Sequence, residues 1–408
     1  MSVLPRTPPR VARRGRAVPV GGVLLFAVGG TAATIAVVWW VAAHTGSAWS
    51  PGGDLAVYRD AAQAVRAGGS PYQVDRDGYG FVYPPFAALV LTPLAVVGPL
   101  AGYAIWTVLS TLAVPAVVWL LVDHLTPAGD HRRPTLLAVG TLAALPLSPI
   151  AGTLLLGNVN IVLLALVLVD LLRVRGPQQG ILLGVAAGIK LTPLVFVVHL
   201  LLTGRIRAGV TALASFVGTV GVGALVLPAD SVTFWAGVLD SSRTRPPGEE
   251  AYGGSIRGAV LHLLPEAAHG VWLPVSVLAA AAGLAVAVWA SRRHEELTAI
   301  LACAVTGLLV SPVTWYAHWV WSVPVLALLV ARTWRRPAHR RWPAGLLWLV
   351  FALPLPWWVG YVLGWAPLTE PAWMMPVDLL YTVTAVALLV LAAVWLRRTA
   401  PAARGCPR

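Results

Sequence analysis

Charged side chains are scarce in this sequence. Only 11% of its 408 residues are Asp, Glu, Lys or Arg, against roughly 25% in soluble domains. The chain is also 58% hydrophobic, which excludes an ordinary water-soluble globular protein. At about 20 apolar residues per membrane-spanning helix, a chain of this length and composition can cross a bilayer ten times or more. We therefore expect an all-α, polytopic integral membrane protein.

Cysteine and the common catalytic motifs are nearly missing as well. Cys303 lies in an apolar run and Cys406 in the tail, with no CxxC spacing, which excludes a disulfide framework and a cysteine metal site. The patterns GxxxxGK[ST], GxGxxG in a strand context and HExxH do not occur, so nucleotide hydrolysis, dinucleotide redox chemistry and zinc proteolysis have no support. We expect no cofactor and no dedicated metal cluster, although the aspartates of the first long loop leave a cation site open.

Apolar runs bounded by charged residues predict ten spans. The further stretch 180–203 is interrupted by Lys190 and Pro193 and has an arginine pair on each side. Two short helices that meet at Lys190 and Pro193 keep both pairs on one face, so we prefer a helical hairpin to a single Pro-kinked helix. The expected bundle has about twelve helical segments, within a range of 10 to 13. The ten spans are 18–43, 100–122, 135–153, 159–172, 208–228, 270–290, 297–312, 318–331, 344–361 and 377–396.

The basic residues predict the orientation. Of 29 Lys and Arg residues, 22 fall on the face that carries both termini, and basic residues collect in cytoplasmic loops. We therefore expect both termini in the cytoplasm. The net charge of +13 is then explained by topology, and a nucleic-acid partner is not expected. The expected organisation is a basic tail (1–17), one transmembrane domain (18–396) with long extracytoplasmic loops at 44–99 and 229–269, and a C-terminal tail (397–408).

The first long loop carries the strongest catalytic candidate. Its run DLAVYRDAAQAVRA predicts a helix with Asp54 near the N-terminus and Tyr58 one turn later on the same face. A helix dipole stabilises a carboxylate at this position, so Asp54 is either a structural first-turn acid or a general base at the outer membrane boundary. The apolar segment VYPPFAALVLTPL follows, contains Tyr83 and is too short to span.

Lys190 is the only lysine in the chain and the only ionisable residue between the arginine pairs of its hairpin, apart from His199. An ionisable group at membrane depth indicates function, and the alternative is a lysine that snorkels from a helix end. Asn158 and Asn160 lie at the outer end of a span, where they either contact a ligand or satisfy helix-end groups.

The segment LVSPVTWYAHWVWSVP places His318 among aromatic residues at an outer boundary. Trp319 and Trp321 fit an aromatic membrane belt, which does not need an imidazole. Arg257 either holds an anion through its guanidinium or faces outer lipid headgroups.

The order of motifs over residues 50–325 resembles glycosyltransferase family 87, membrane-embedded enzymes of the C-type glycosyltransferase superfamily. Two positions depart from the family pattern. The family commonly has Gln where Asn158 stands, and often a His pair where this chain has Ala317 and His318. The motifs are DLAVY, GGSPY, FVYPPFAALVLTPLA, GNVNIVLLAL, GVAAGIKLTPLVF and SPVTWYAHWVW.

The resemblance implies a hexosyltransferase of the C-type fold in the cell membrane. It would move a mannosyl residue from polyprenyl-phosphate-mannose to a hydroxyl of a lipid-linked glycan or lipoglycan on the extracytoplasmic face. The reaction would invert the anomeric carbon and form an alpha-1,2 linkage. Asp54 is the catalytic base by resemblance. The donor-phosphate candidates are Lys190, Arg257 and His318, and the sugar or acceptor candidates are Tyr58, Tyr83, Asn158, Asn160 and Trp315.

Two other functions are open from the sequence. A related enzyme would transfer another polyprenyl-phosphate-linked sugar such as arabinofuranose. A lipid or solute transporter would share the helix count and the broken helices, but it predicts inverted repeats, and the two halves of this sequence are not similar. The acceptor, the linkage, metal dependence and the oligomeric state are not fixed by the sequence.

Overall fold

The computed structural model describes residues 52–76, 79–237, 254–334, 337, 341–352 and 375–399. The predicted span 18–43, residues 238–253 of the loop 229–269 and residues 353–361 of the span 344–361 lie outside these ranges. Eleven of the twelve predicted segments fall wholly or partly within them, and each contains a helix. The all-α membrane bundle with a helical first loop is therefore confirmed.

Sixteen α-helices occur in the described residues. A two-residue antiparallel ladder, β1 (Asp75–Arg76) with β2 (Tyr79–Gly80), interrupts them in the first loop. The helices are α1 Gly53–Arg66, α2 Pro85–Leu91, α3 Pro99–Leu125, α4 Arg133–Ala144, α5 Ser148–Leu156, α6 Asn160–Leu172, α7 Ile181–Ile189, α8 Leu194–Leu202, α9 Ile206–Val226, α10 Pro228–Gly237, α11 Ile256–Leu263, α12 Ala268–Arg292, α13 Glu296–Val310, α14 Ser322–Thr333, α15 Trp342–Ala352 and α16 Met375–Arg398.

Among the described helices, four are long and apolar enough to cross a membrane: α3, α9, α12 and α16. The predicted span 135–153 is instead a bent pair, since α4 and α5 meet at 70°. Proline at the first turn of α5 fixes a helical start there. The other described helices have 7 to 15 residues, so short and broken helices form much of the bundle.

The hairpin at 180–203 is confirmed. Gly180, Gly184 and Gly188 of α7 lie against successive turns of α9, so close that a Cβ at any of the three would meet an atom at 2.1–2.3 Å. The two helices therefore run parallel, with small residues allowing the approach. Helix α8 returns and joins α9 by a tight turn in which the Arg205 N–H donates to the Leu200 carbonyl. Lys190 caps α7 in an extended conformation, at the tip of this hairpin.

The prediction of an aromatic belt is wrong for Trp319. Trp319 is 1% exposed and packs its ring against Phe351 and Tyr381. Trp321 is half-buried and contacts the ring of Phe196 on α8. The segment bends at the short 3-10 helix Tyr316–Trp321, so the indole of Trp319 faces protein.

Candidate active site

The N-terminus of α1 is held in one place by the backbone conformation of Gly52 and by two of its contacts. Its φ is +81°, a left-handed conformation that glycine adopts without strain. Its N–H donates to the Leu155 carbonyl at 2.8 Å. The ring of Tyr103 lies so close that an added Cβ would sit 2.9 Å from it. Asp54, in the first turn of α1, is therefore positioned relative to the end of α5.

The junction between α5 and α6 supplies a partner for Asp54. Gly157 ends α5 with φ +71° and lies directly against Leu55. The next residue, Asn158, is buried and donates from Nδ2 to Asp54 Oδ2 at 2.5 Å. Its Oδ1 accepts the N–H of Asn160 at 3.0 Å, which is one of the unpaired donors at the start of α6. Asn158 thus satisfies a helix end and holds a half-buried carboxylate at the same time.

Asn160 continues the network to the hairpin tip. Its Oδ1 accepts from Lys190 Nζ at 2.9 Å, and its Nδ2 donates to the Ala317 carbonyl at 2.9 Å. Lys190 Nζ also lies 3.0 Å from His318 Nε2 and 5.4 Å from the centre of the Tyr83 ring. A carboxylate at one end and an amine beside an imidazole at the other are therefore joined by two asparagine side chains.

Aromatic side chains cover this network. The Tyr58 hydroxyl donates to the Tyr83 hydroxyl at 2.9 Å. Burial, followed by the nearby Tyr83 and Asp54, raises the pKa of Tyr58 well above its usual range, so Tyr58 stays a phenol and keeps its proton to donate. Trp315 stacks on His318 with ring centres 6.4 Å apart, and the edge of Tyr79 meets Trp315 at 6.5 Å.

Arg257 approaches from a different element. It lies in the first turn of α11, which is tied to the site by the hydrogen bond from the Gly254 N–H to the Thr314 carbonyl at 2.8 Å. Its guanidinium lies over the Trp272 ring, 5.7 Å from the centre. The backbone of Arg257 is thereby linked to the residue before Trp315, while its side chain is held by a cation–π contact with α12.

An apolar cavity opens beneath the network. Its cavity volume is about 50 Å³, which is small beside the roughly 300–1,000 Å³ of ordinary ligand pockets. Asn160, Lys190 and His318 line its polar end. Leucine, valine and phenylalanine side chains of α6, α8 and α13 line the rest. The pocket thus has a polar end formed by the network and a mainly apolar lining, to which Thr192, Ser311 and Thr314 also contribute.

Eight of the nine predicted site residues meet in this network and its aromatic cover. The sequence analysis did not single out Tyr79, Tyr103 or the carbonyls of Leu155 and Ala317. Backbone carbonyls carry no residue signal, and Tyr103 stands at the start of an apolar span where a tyrosine needs no special explanation. Within the described ranges, no three His, Cys, Asp or Glu residues form a group able to hold a metal ion.

Comparison with known proteins gives a consistent picture. The family profile of glycosyltransferase family 87 matches residues 81–312. A polyprenol-phosphate-mannose-dependent alpha-(1-2)-phosphatidylinositol mannoside mannosyltransferase of Mycobacterium tuberculosis is 34% identical over 273 residues, which are 63% of this chain and 63% of that protein. The corresponding pentamannoside mannosyltransferase of Mycolicibacterium smegmatis is 33% identical over 337 residues, 77% of this chain and 81% of that protein.

Among solved structures, ArnT from Cupriavidus metallidurans bound to undecaprenyl phosphate aligns over 93% of this chain and 73% of its own. The sequence identity is 17% and the TM-score is 0.43. The family assignment rests on the sequence matches, because the profile covers more than half of the chain and the second relative is matched over four fifths of its length. The chain belongs to glycosyltransferase family 87.

Proposed function

We propose that this protein is a membrane glycosyltransferase that moves a mannosyl residue from polyprenyl-phosphate-mannose to a hydroxyl of a lipid-linked acceptor. The observation that carries the proposal is the polar network from Asp54 through Asn158 and Asn160 to Lys190 and His318, set at the mouth of an apolar cavity. The network offers a base and a cationic site to one substrate. The sugar and the acceptor class, phosphatidylinositol mannosides, are those for which the mycobacterial relatives are named.

The chemistry needs one carboxylate. Asp54 takes the proton of the acceptor hydroxyl, whose oxygen attacks the anomeric carbon from the face opposite the phosphate. The new C–O bond forms as the bond to the phosphate oxygen breaks, so a beta-linked donor gives an alpha-linked product. The leaving phosphate gains negative charge, which cationic and hydrogen-bonding groups at Lys190 and His318 stabilise.

The asparagines position this machinery. Asn158 holds the carboxylate and Asn160 holds the amine. We therefore assign these two asparagines the role of setting the distance between the base and the phosphate site. Tyr58, Tyr83 and Trp315 offer aromatic faces and hydroxyls to the sugars, as hydroxyl-rich ligands require. Arg257 is an outer anion contact, carried on a helix tied to residue 314.

We also propose that the transmembrane domain spans residues 18–396, that both termini are cytoplasmic and that the site faces the extracytoplasmic side. The arginine distribution supports this orientation. In whole cells, an impermeant maleimide should label an exposed Ala67→Cys variant in the first loop but should not label Cys406. Labelling of Cys406 without permeabilisation would reverse the topology.

The enzymatic test uses purified protein with radiolabelled polyprenyl-phosphate-mannose and phosphatidylinositol mannosides. Asp54→Asn should reduce transfer by about 10²–10⁴-fold, the usual contribution of a general base. The matched control is Asp60→Asn on the same helix. Asp60 pairs with Arg76 at 2.6 Å near the surface, and this variant should keep wild-type turnover. Wild-type turnover by Asp54→Asn would eliminate the assignment of the base. If the active enzyme accepts polyprenyl-phosphate-arabinose and rejects the mannose donor, the transferred sugar is arabinose rather than mannose.

A further inference from the structure

The contacts of His318 fix the position of its ring proton. Its Nδ1 accepts the backbone N–H of Trp315 at 3.1 Å, in the turn where His318 stands third in a short 3-10 helix. A nitrogen that accepts a hydrogen bond carries a lone pair, so the single proton of a neutral imidazole is on Nε2. The 3-10 turn therefore sets the tautomer of His318.

This tautomer constrains Lys190. Nε2 and Lys190 Nζ are 3.0 Å apart, and one hydrogen bond needs one proton and one lone pair. Because the proton is on Nε2, the lone pair has to belong to Lys190. An ammonium group has three N–H donors and no lone pair, so it would place donor against donor. In the opposite tautomer the ring proton is on Nδ1, and it would then face the Trp315 N–H as a second donor.

A neutral amine satisfies every described contact of Lys190. One N–H donates to Asn160 Oδ1 at 2.9 Å, and the lone pair accepts from Nε2. The nitrogen lies over the face of the Tyr83 ring, which can also accept an N–H from a neutral amine.

We propose that Lys190 is an uncharged amine in the resting enzyme and that the Lys190–His318 pair takes up one proton when a lipid phosphate binds. Given the proposed function, the donor phosphodiester arrives as an anion, and a solvent proton converts the amine to an ammonium group that pairs with it. When the glycosyl–oxygen bond breaks, this proton passes from Nζ to the departing phosphate. The product then leaves as a hydrogen phosphate monoanion, and the amine returns to its resting state.

The proton balance closes with Asp54. The acceptor proton goes to the Asp54 carboxylate and from there to solvent, while Lys190 draws its own proton from solvent and gives it to the phosphate. The titratable groups on the elements around the pair include Asp54, Tyr58, Arg59, Asp60, Arg66, Tyr79, Tyr83, His199, Arg257, His262, Cys303 and Tyr316. Asp170 and Glu296 lie ten residues or more along α6 and α13, which is about 15 Å or farther.

The chain contains a single lysine, so lysine-selective ¹³C labelling gives one side-chain signal that needs no assignment. Without lipid at pH 7, the Cε signal of the full-length protein in detergent should lie at the free-amine position. The urea-unfolded protein supplies the ammonium reference. Farnesyl phosphate should move the signal to the ammonium position, and farnesol, the uncharged control, should not. An ammonium signal in the resting protein would overturn the proposal.

A pair of variants at one position isolates the tautomer. Trp315 has φ −82°, which proline accepts, so Trp315→Pro removes the N–H that fixes Nδ1. Trp315→Ala removes the same indole but keeps the N–H. The lysine should become an ammonium group in Trp315→Pro and stay neutral in Trp315→Ala. Identical signals in the two folded variants would contradict the mechanism.

If Trp315→Pro does not fold, the histidine ¹⁵N spectrum of the wild-type protein reports the tautomer of His318 directly. The His318 signal is the one that disappears in the His318→Gln variant. A proton on Nε2 supports the proposal, and a proton on Nδ1 overturns it. These measurements use no sugar and no acceptor. A neutral lysine together with inactive Asp54→Asn supports both proposals, whereas a neutral lysine in a protein that transfers no sugar would refute the proposed function alone.

Discussion

Removing the Asn158 side chain should uncouple the carboxylate from the rest of the site. In Asn158→Ala, Asp54 loses the hydrogen bond that reaches Oδ2 at 2.5 Å, and the Asn160 N–H loses its acceptor at 3.0 Å. A hydrogen bond to a charged group contributes about 1.5–3 kcal/mol. If that energy orients the base, it corresponds to a loss of roughly 10- to 150-fold in kcat, at about 1.4 kcal/mol for each factor of ten.

The assay separates the two ends of the network. Asn158→Ala should lower kcat with little change in KM for the lipid donor, because Lys190 keeps its own partners. Asn160→Ala removes the acceptor of Lys190 Nζ and the donor to the Ala317 carbonyl, so it should raise the donor KM. Steady-state kinetics at saturating acceptor distinguishes these outcomes.

Thermal unfolding serves as the control for both alanine variants, because each removes hydrogen bonds from buried or half-buried groups. A folded Asn158→Ala enzyme that retains more than half of the wild-type kcat would refute the idea that this amide positions the base. A rise in donor KM alone would place Asn158 in the phosphate site instead.

Two further substitutions test the packing that supports the site. Gly52→Ala should lower the unfolding midpoint and the activity, because it adds left-handed strain of about 1–2 kcal/mol and a contact with Tyr103 at 2.9 Å. The control is Gly68→Ala, which has a similar φ of +77° and open space around it and should therefore show the strain alone. Equal unfolding midpoints for the two variants would show that the Tyr103 contact is unimportant. Trp319→Ala should destabilise the protein by about 3–5 kcal/mol. The control is Trp342→Ala, which should have little effect on the unfolding midpoint because Trp342 is 65% exposed. Equal midpoints for the two variants would indicate that Trp319 faces lipid after all.

The membrane class, the broken hairpin and the helix of the first loop were predictable because each has a strong local signal. Lys190 and Pro193 interrupt an apolar run, and DLAVYRDAAQAVRA has helical spacing in an otherwise irregular loop. The bend between α4 and α5 had a weaker signal. Its prolines, Pro146 and Pro149, stand where an apolar run continues on both sides, so hydropathy alone joins the two helices into one span.

Trp319 shows why the remaining features needed the structure. A tryptophan near a membrane boundary has the same sequence signature whether it faces headgroups or a neighbouring helix. The ring is buried here because the 3-10 segment turns it towards Phe351 and Tyr381, residues 32 and 62 positions away. Contacts at such separations depend on tertiary packing, which a single sequence does not encode in any local pattern.

The separation between base and phosphate site depends on one short segment. Gly157 fixes the end of α5, Asn158 holds Asp54, and Asn160 holds Lys190, all within four residues. The first-loop helix and the hairpin are distant in sequence, yet both are hydrogen-bonded to this junction, through Asp54 and Lys190. A movement of α6 along its axis would therefore shift the amine relative to the carboxylate. For this reason, Asn158→Ala and Asn160→Ala should be non-additive in a double-mutant cycle, since the second substitution acts on a network that the first has already separated.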